Sequence, residues 1–414
     1  MKRAFKMRAY PTGGQAARAG RLLGVHCEIY NAALQERRDA WRMRRVSVSF
    51  ADQSAQLKAV REARPDVAGF SCTAQQQTLR RLNRSFDAFF RRVKAGDTAG
   101  YPRFRSRARF DTVDHRNGDG AKWVPTEGRW ARAYFQGVGH LKVDEHTPVD
   151  GRVTQVSLRR ENGGRRWYVI VIAETEPEPL PPAGSDVGVD VGIARFLVTS
   201  SGETVDNPRF AAEAADELAE LQRRRAATKR GSGNYRRLSR RIAKLHRKTK
   251  NRRADFHHKT ARRLVDTHDT IAVEDLPVAN MARRAAPRPD PDQPGEFLPN
   301  GGSAKTGLNR SISDVGWAQF ISILTAKAEC AGRQTIKVNP AHTSDTCNLC
   351  LRDGVPAAQA RVRRPRQDTV ICDTHGSLDA DLNAACNIAD RAGLTADPTG
   401  TRAGLGSSEA ASAA

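Results

Sequence analysis

Long apolar runs are missing from this sequence. No stretch approaches the ~18–20 consecutive apolar residues that a membrane-spanning helix needs, so neither a helical span nor a membrane partner is expected. The opening residues, MKRAFKMRAYPT, hold no apolar signal core, which predicts a chain that stays in the cytoplasm. Cysteine is scarce: seven in 414 residues, an odd count. Three of them, Cys347, Cys350 and Cys372, lie in two knuckle-like pieces, which favours metal binding in a reducing compartment over a disulfide framework. Acids are short as well, 46 Asp and Glu against 69 Lys and Arg, for a net charge of +23 and a pI near 10.4. Such a field repels basic surfaces and draws polyanions, so nucleic acid is the expected partner. Charge does not choose between DNA and RNA.

What is present divides at EPEPLPPAGS (176–185), a proline-rich linker. Before it, KRAFKMRAY alternates. Phe5, Met7 and Ala9 share one face and Lys6 and Arg8 the other, predicting a strand with a basic outer face. Thr12 and Gln15 have capping-box spacing, so a helix starts there and runs towards Arg45. A second helix is predicted over Thr73–Val93, with Leu79, Leu82, Phe86, Phe89, Phe90 and Val93 as its apolar stripe. Arg80 and Arg84 lie off that stripe, open to solvent or to phosphates. From Trp123 to Glu174 the pattern turns to strands, and VTQVSLRRENGGRRWYVIVIAE reads as a hairpin with NGG at its tip. Residues 1–180 are therefore expected to form a β-barrel built from both ends around a helical insert at about 12–95. GYPRFRSRARF interleaves Tyr101, Phe104 and Phe110 with Arg103, Arg105, Arg107 and Arg109. Aromatic and guanidinium planes stack on bases, and arginine also pairs with phosphate.

After the linker, VGVDVGIARFLVTSSGETV predicts a strand and a hairpin turning at Ser201–Gly202. Between Leu221 and Val265 stand 18 Lys and Arg and one acid, Asp255; Gly231–Gly233 should break this stretch into two helices, the whole basic region spanning about 208–265. Arg236, Arg240, Lys244 and Arg247 are its candidate phosphate contacts. TIAVEDL reads as a short buried strand ending in two acids. The Pro/Gly-rich stretch at about 286–308 reads as a mobile loop, a candidate lid. SDVGWAQFISILTAKAECAG predicts one amphipathic helix, RQTIKVNP a strand, and residues 394–414 a disordered tail.

Three acids stand out: Asp190 within a strand, Glu274 at a strand end and Asp381 at a helix start. Carboxylates in such places are costly unless paired. Strand ends and a helix start can converge at one edge of a sheet, and clustered carboxylates call for divalent cations. An all-oxygen set suits Mg²⁺, and two such ions can drive phosphodiester hydrolysis. This is the ligand set of an RNase H-like nuclease. The metal knuckle stands directly before the last acid: TCNLC, then 21 residues, then CDTHGSLDADLNAACNI.

GVDVGI, IAVEDL and DADLNAA, in that order, resemble the three motifs of a RuvC nuclease domain. Together with KMRAYPTGGQ, GYPRFRSR, NRSISDVGWAQF and NPAHTSDTCNLC, they make the chain similar, over about residues 1–393, to the transposon-encoded TnpB (OrfB) proteins. The resemblance implies an RNA-guided endonuclease related to type V CRISPR effectors. Its guide RNA would come from the transposon end. It would act as a monomer with RNA in the bacterial cytoplasm or nucleoid, cutting both strands of target DNA beside a short flanking motif. The implied architecture is mixed α/β: a wedge barrel with a helical recognition insert (1–180), an RNase H-like RuvC core (185–340), a zinc-binding insertion (341–378) and a final RuvC helix (379–393). By motif, Asp190, Glu274 and Asp381 would be the catalytic Mg²⁺ ligands, and Cys347, Cys350, Cys372 and His375 would hold one structural Zn²⁺. This chain departs from the family at His375, where a cysteine is usual, and at Ala380, where arginine is usual. Cys₃His is an ordinary zinc set, so the site is expected to survive. Two other readings use the same acids: an RNA-free transposase or recombinase, and a nuclease-inactive guided repressor. The retained acids count against the second.

Overall fold

The computed structural model describes residues 1–161, 166–293 and 295–394. The NGG tip of the predicted hairpin and the tail expected beyond residue 394 lie outside them. Contacts divide the chain into two compact units, Met1–Glu176 and Pro177–Ala414.

The first unit opens with β1 (Lys2–Tyr10) and passes into helices α1 (Gly13–Arg44), α2 (Phe50–Ala63), α3 (Pro65–Ala68) and α4 (Cys72–Lys94). Strands β2 (Thr112–Asn117), β3 (Gly120–Val124), β4 (Trp130–Phe135), β5 (Gly139–Asp144), β6 (Arg152–Glu161) and β7 (Arg166–Glu174) follow. They close a seven-stranded barrel in the order β1-β5-β4-β3-β2-β6-β7, with β7 pairing back onto β1. Thr12 and Gln15 form the capping box that starts α1. Alternation sets the barrel's inside: Phe5, Met7 and Ala9 of β1 are buried, as are Ala131, Ala133 and Phe135 of β4. The stripe expected on α4 is buried only as far as Phe86. Phe90 and Val93 are exposed, and Phe89 and Phe90 instead join Phe86 and Tyr101 in an aromatic cluster at the helix end.

The second unit holds β8 (Asp186–Val191), β9 (Arg195–Thr199), β10 (Thr204–Asp206), α5 (Phe210–Glu213), α6 (Ala215–Ala226), α7 (Gly233–Thr267), β11 (Thr270–Glu274) and α8 (Val278–Met281). It continues with α9 (Gly302–Val315), α10 (Trp317–Cys330), β12 (Gln334–Val338), α11 (Asn348–Arg352), β13 (Thr369–Cys372), β14 (Gly376–Asp379) and α12 (Ala380–Arg391). Five strands form a mixed sheet, β10-β9-β8-β11-β12, with β11 parallel to both β8 and β12. Period-two alternation gives each central strand two jobs. Val187, Val189, Ile271 and Val273 pack with Leu264 and Val265 of α7 and Phe320 and Leu324 of α10. Ala272 packs with Ile388 and Ala389 of α12. The strand residues in between, Gly188, Asp190 and Glu274, share this second side.

Two further expectations need correction. The single helix predicted across SDVGWAQF is two helices, because Gly316 sits at φ 72, in the left-handed region that a helix interior excludes. The loop expected over 286–308 is helical from Gly302, where Asn300 Oδ1 accepts the Gly302 N–H and opens α9.

Candidate active site and metal centre

Asp190, Glu274 and Asp381 line one cavity, of about 540 Å³, with Gly192, Arg195, Pro340, Thr343 and Arg364 among the other walls. Backbone geometry brings them together. Asp190 and Glu274 lie one step past the last register pair of β8 and β11, Val189↔Val273, on the same face of the sheet. α12 reaches that face because residue 188 is glycine: a Cβ there would lie 2.2 Å from the Ala385 carbonyl oxygen. Asp381 stands one turn before Ala385 and so arrives beside Asp190. Asp379 starts the helix, its Oδ1 accepting from the N–H groups of Asp381 and Leu382 at 3.0 and 2.9 Å. The break at Gly316 frees Trp317, whose Nε1–H donates to the Gly192 carbonyl at 3.3 Å and braces the end of the Asp190 strand.

Electrostatics mark the cluster. Asp190 keeps some surface open to the cavity, yet the atoms packed around it desolvate it, and Glu274 and Asp381 repel its charge. Together these push its carboxyl up to about 7, against a smaller opposing pull from Arg364. Burial also raises Glu274, against a hydrogen bond donated by the Thr343 hydroxyl. Arg195 spans the helix start: its Nε meets Asp381 Oδ2 at 2.9 Å and its Nη2 meets Asp379 Oδ2 at 2.9 Å. A desolvated, all-oxygen carboxylate cluster fits a hard divalent cation. The segment expected to act as a lid, 286–308, supplies none of the described lining residues; Arg364, Gln367 and Asp368 do. Sequence reading missed Arg195, Thr343, Trp317 and Arg364 in this setting. Only the very basic RVRRPRQ stretch hinted at the last.

Cys347, Cys350, Cys372 and His375 converge, their ligand atoms all within 4.8 Å of one another. Cys350 Sγ lies 3.4 Å from Cys372 Sγ and 3.3 Å from His375 Nδ1; Cys347 and Cys372 Sγ are each 3.7 Å from that nitrogen. A tetrahedral zinc shell has edges of roughly 3.5–3.8 Å by its bond lengths, so the Cys₃His set can hold a structural metal such as zinc. His375 Nε2 faces Asp353 Oδ2 at 3.1 Å, the carboxylate partner that orients a ligating histidine. The knuckle is bolted to α12 by buried amides. Asn383 Oδ1 accepts from the Asn348 N–H, and the Asn383 and Asn387 amides donate to the Thr346 carbonyl, each at 2.8 Å. Asn387 also donates to the carbonyl of Thr343, whose hydroxyl donates to Glu274. Two asparagines four apart in an apolar helix, Asn383 and Asn387, were the available signal for this network.

The basic candidates fall into groups. Arg236, Arg240 and Lys244 are exposed along α7, with Arg247 half-buried beside them. That helix packs on α6 through Leu221, Leu238 and Ile242. Arg80 and Arg84 are exposed on α4, with Arg80 over the Phe50 ring. Tyr101, Arg103, Phe104 and Arg105 line a cavity of about 790 Å³. Asn31 of α1 grips the Arg105 backbone through both its N–H and its carbonyl. Lys6 and Arg8 lie on the outer side of β1, against Tyr168.

Residues 169–285 match the OrfB family model described as "Probable transposase", and residues 317–388 the one described as "Cas12f1-like, TNB domain". Residues 1–45 match one described as "Helix-turn-helix domain", although the chain forms a strand and one continuous helix there. The chain is 31% identical over 405 residues to a "Putative RNA-guided DNA endonuclease" of Streptomyces pristinaespiralis, covering 97% of this chain and 91% of that protein. It is 29% identical over 394 residues to "Putative RNA-guided DNA endonuclease InsQ" of Escherichia coli (strain K12), covering 94% and 92%. In fold it is similar to Cas12f1, solved with sgRNA and target DNA, at a TM-score of 0.54, 13% identity and coverage of 96% and 99%.

Proposed function

The chain belongs to the transposon-encoded TnpB (OrfB) family, related to the type V CRISPR effectors, and on that premise we propose that it is an RNA-guided endonuclease that cuts double-stranded DNA beside a short flanking motif. The observation that carries the reading is the convergence of Asp190, Glu274 and Asp381 on one cavity faced by Arg364. On this reading the five-stranded unit is the RuvC core, and residues 341–378 are a zinc-stabilised insertion within it. Two Mg²⁺ ions held by the three carboxylates would supply an activated water and stabilise the leaving oxygen. Asp190, Glu274 and Asp381 supply the oxygen ligands. The Thr343 hydroxyl orients Glu274, and Arg195 fixes Asp381 through its Oδ2. Arg364, exposed at the mouth, faces the non-bridging oxygens of an incoming phosphodiester. Arg236, Arg240, Lys244, Arg247, Arg80 and Arg84 grip backbone phosphates, and Tyr101, Arg103, Phe104 and Arg105 hold bases and phosphates in their cavity. Guide pairing reads the target sequence, while the protein reads duplex shape and the flanking motif.

The test is to purify the chain, sequence any bound RNA, and assay cleavage of matching duplex with Asp190→Ala, Glu274→Ala and Asp381→Ala. Guide RNA derived from the transposon end and loss of cutting with retained guided binding are expected. Two of the three variants cutting at wild-type rate in Mg²⁺ would sink the site assignment. Specific cutting that survives complete RNA removal favours the RNA-free transposase, and guided binding without any cutting favours the repressor.

A further inference from the structure

The outer face of the barrel across β7, β1, β5 and β4 carries a row of aromatic and cationic side chains that the cleavage chemistry does not use. Register sets Tyr10 opposite Lys142, Lys142 opposite Arg132, and Tyr134 opposite His140. Their strand neighbours Ala9, Ala131, Ala133 and Leu141 are buried inside the barrel, so these side chains all point out. Tyr10, Trp130 and Tyr134 are 47%, 39% and 36% exposed. A solvated sheet face is ordinarily polar. Trp130 meets Tyr10 edge-on at 5.8 Å between ring centroids and carries the Lys142 amine 3.8 Å from its own. Arg8 lies 5.5 and 5.4 Å from the rings of Tyr10 and Tyr168, and its Nη1 is buried with no hydrogen-bond partner. Among the described residues the acids here are already engaged, Asp144 by Arg129, Glu174 by Arg152 and, on neighbouring β6, Glu161 by Lys6. The face therefore keeps a positive surplus around its rings.

Exposed π-faces flanked by cations suit one chemistry best: unpaired bases stack on the rings while their phosphates meet the amines and guanidinium groups. A duplex hides its base faces and would leave the rings unused. In the guided mechanism DNA arrives as duplex and is unpaired only while the guide pairs with it, whereas RNA is the resident partner with unpaired segments. We infer that this face is a stacking platform for unpaired nucleotides of the guide RNA, centred on Trp130, an assignment that rests on the guided reading above.

The full chain, purified with RNA carrying 4-thiouridine, is irradiated and its adducts mapped by mass spectrometry. Adducts are expected on the peptides bearing Tyr10, Trp130 or Tyr134. In parallel, RNA-free protein is titrated with a single-stranded and a duplex RNA of equal length. Trp130→Ala should weaken single-strand binding about tenfold, the scale of one lost base stack, with Trp130→Phe losing less and duplex binding unchanged. An unchanged melting temperature shows that the outward-facing variants are folded. Wild-type single-strand affinity in Trp130→Ala, equal losses for both RNAs, or no adducts on this face would each overturn the platform. Single-stranded DNA bound as tightly and with the same Trp130 dependence overturns the assignment to RNA. A wild-type chain that carries no RNA and cuts nothing with a guide refutes the guided reading instead, whereas guided cutting without these adducts refutes the platform alone.

Discussion

His375 stands where the family resemblance leads one to expect a cysteine, and its surroundings suit it to the place of a metal ligand. Nδ1 faces three sulfurs while Nε2 is held by Asp353, so the ring is oriented before metal binds. His375→Cys is expected to keep one zinc per chain. His375→Ala should lose zinc and lower the melting temperature, because an open position loosens the knuckle that the Asn348, Asn383 and Asn387 network ties to α12. Asp353→Ala should weaken zinc binding by about tenfold. Metal analysis and a zinc titration of the purified variants decide these points; full zinc and full stability in His375→Ala would show that this histidine is no ligand. Arg364 is exposed, and among the described residues its guanidinium donates to the Gln367 carbonyl, so Arg364→Ala should fold normally. Loss of one charge-assisted contact to phosphate should slow cutting by roughly 10–100-fold, given ~1.5–3 kcal/mol for such a bond. A wild-type single-turnover rate would remove Arg364 from the site.

Elements, rather than residues, decide whether the acids meet. α12 approaches β8 over Gly188, and any side chain there strikes backbone atoms of Ala385 and Ala389. Gly188→Val is predicted to abolish cutting while leaving RNA bound to the first unit, since the helix start carrying Asp381 must move away from Asp190. Guided binding lost in step with cutting would point to general unfolding instead. A second contact between elements is expected to make the first unit acid-sensitive. His26 of α1 and His115 of β2 are buried with ring centroids 6.4 Å apart. Burial lowers them to about 3 and about 4. Both stay neutral in the fold, while an unfolded chain takes protons from about 6.5 downward. Their contribution is therefore complete above that value and is lost as pH falls through it towards 4, at up to about 1.4 kcal/mol per pH unit for each ring. His115→Phe, which replaces the titrating ring by an apolar one beside Phe135, should flatten the fall in urea midpoint between about pH 6.5 and pH 4.5; an unchanged slope would locate the acid sensitivity elsewhere.

At the scale of the whole molecule, a net charge of +23 dominates every encounter with nucleic acid. Released counterions drive such binding, so log K for RNA should fall linearly and steeply with log salt. Replacing Arg236, Arg240 and Lys244 by glutamine should reduce that slope by about two to three if each of these exposed residues on α7 meets one phosphate. A slope equal to that of the wild type would remove α7 from the backbone contacts.

Local rules were enough for much of this protein. Alternation in KRAFKMRAY, the Thr12–Gln15 cap, the apolar strands holding Asp190 and Glu274, and the cysteine spacing each act within a few residues, where side-chain period, turn chemistry and ligand count are visible in the chain itself. The same locality set the limits. The glycine at 316 is the one local hint that a left-handed break, and not a helix interior, stands there; the contact that the break allows, Trp317 to Gly192, spans 125 positions. The outer half of the α4 stripe read as core because apolar residues recur at helical spacing, yet Phe90 and Val93 stay exposed. Arg195 gave no sign of its role, since its partners Asp379 and Asp381 lie 184 and 186 positions along the chain. Composition and period determined which elements form and what chemistry they carry. Which acids share a cavity, which arginines face them and which aromatic rings stay in water were decided by packing between distant segments, because a side chain's neighbours are set by the fold's contacts and not by its place in sequence.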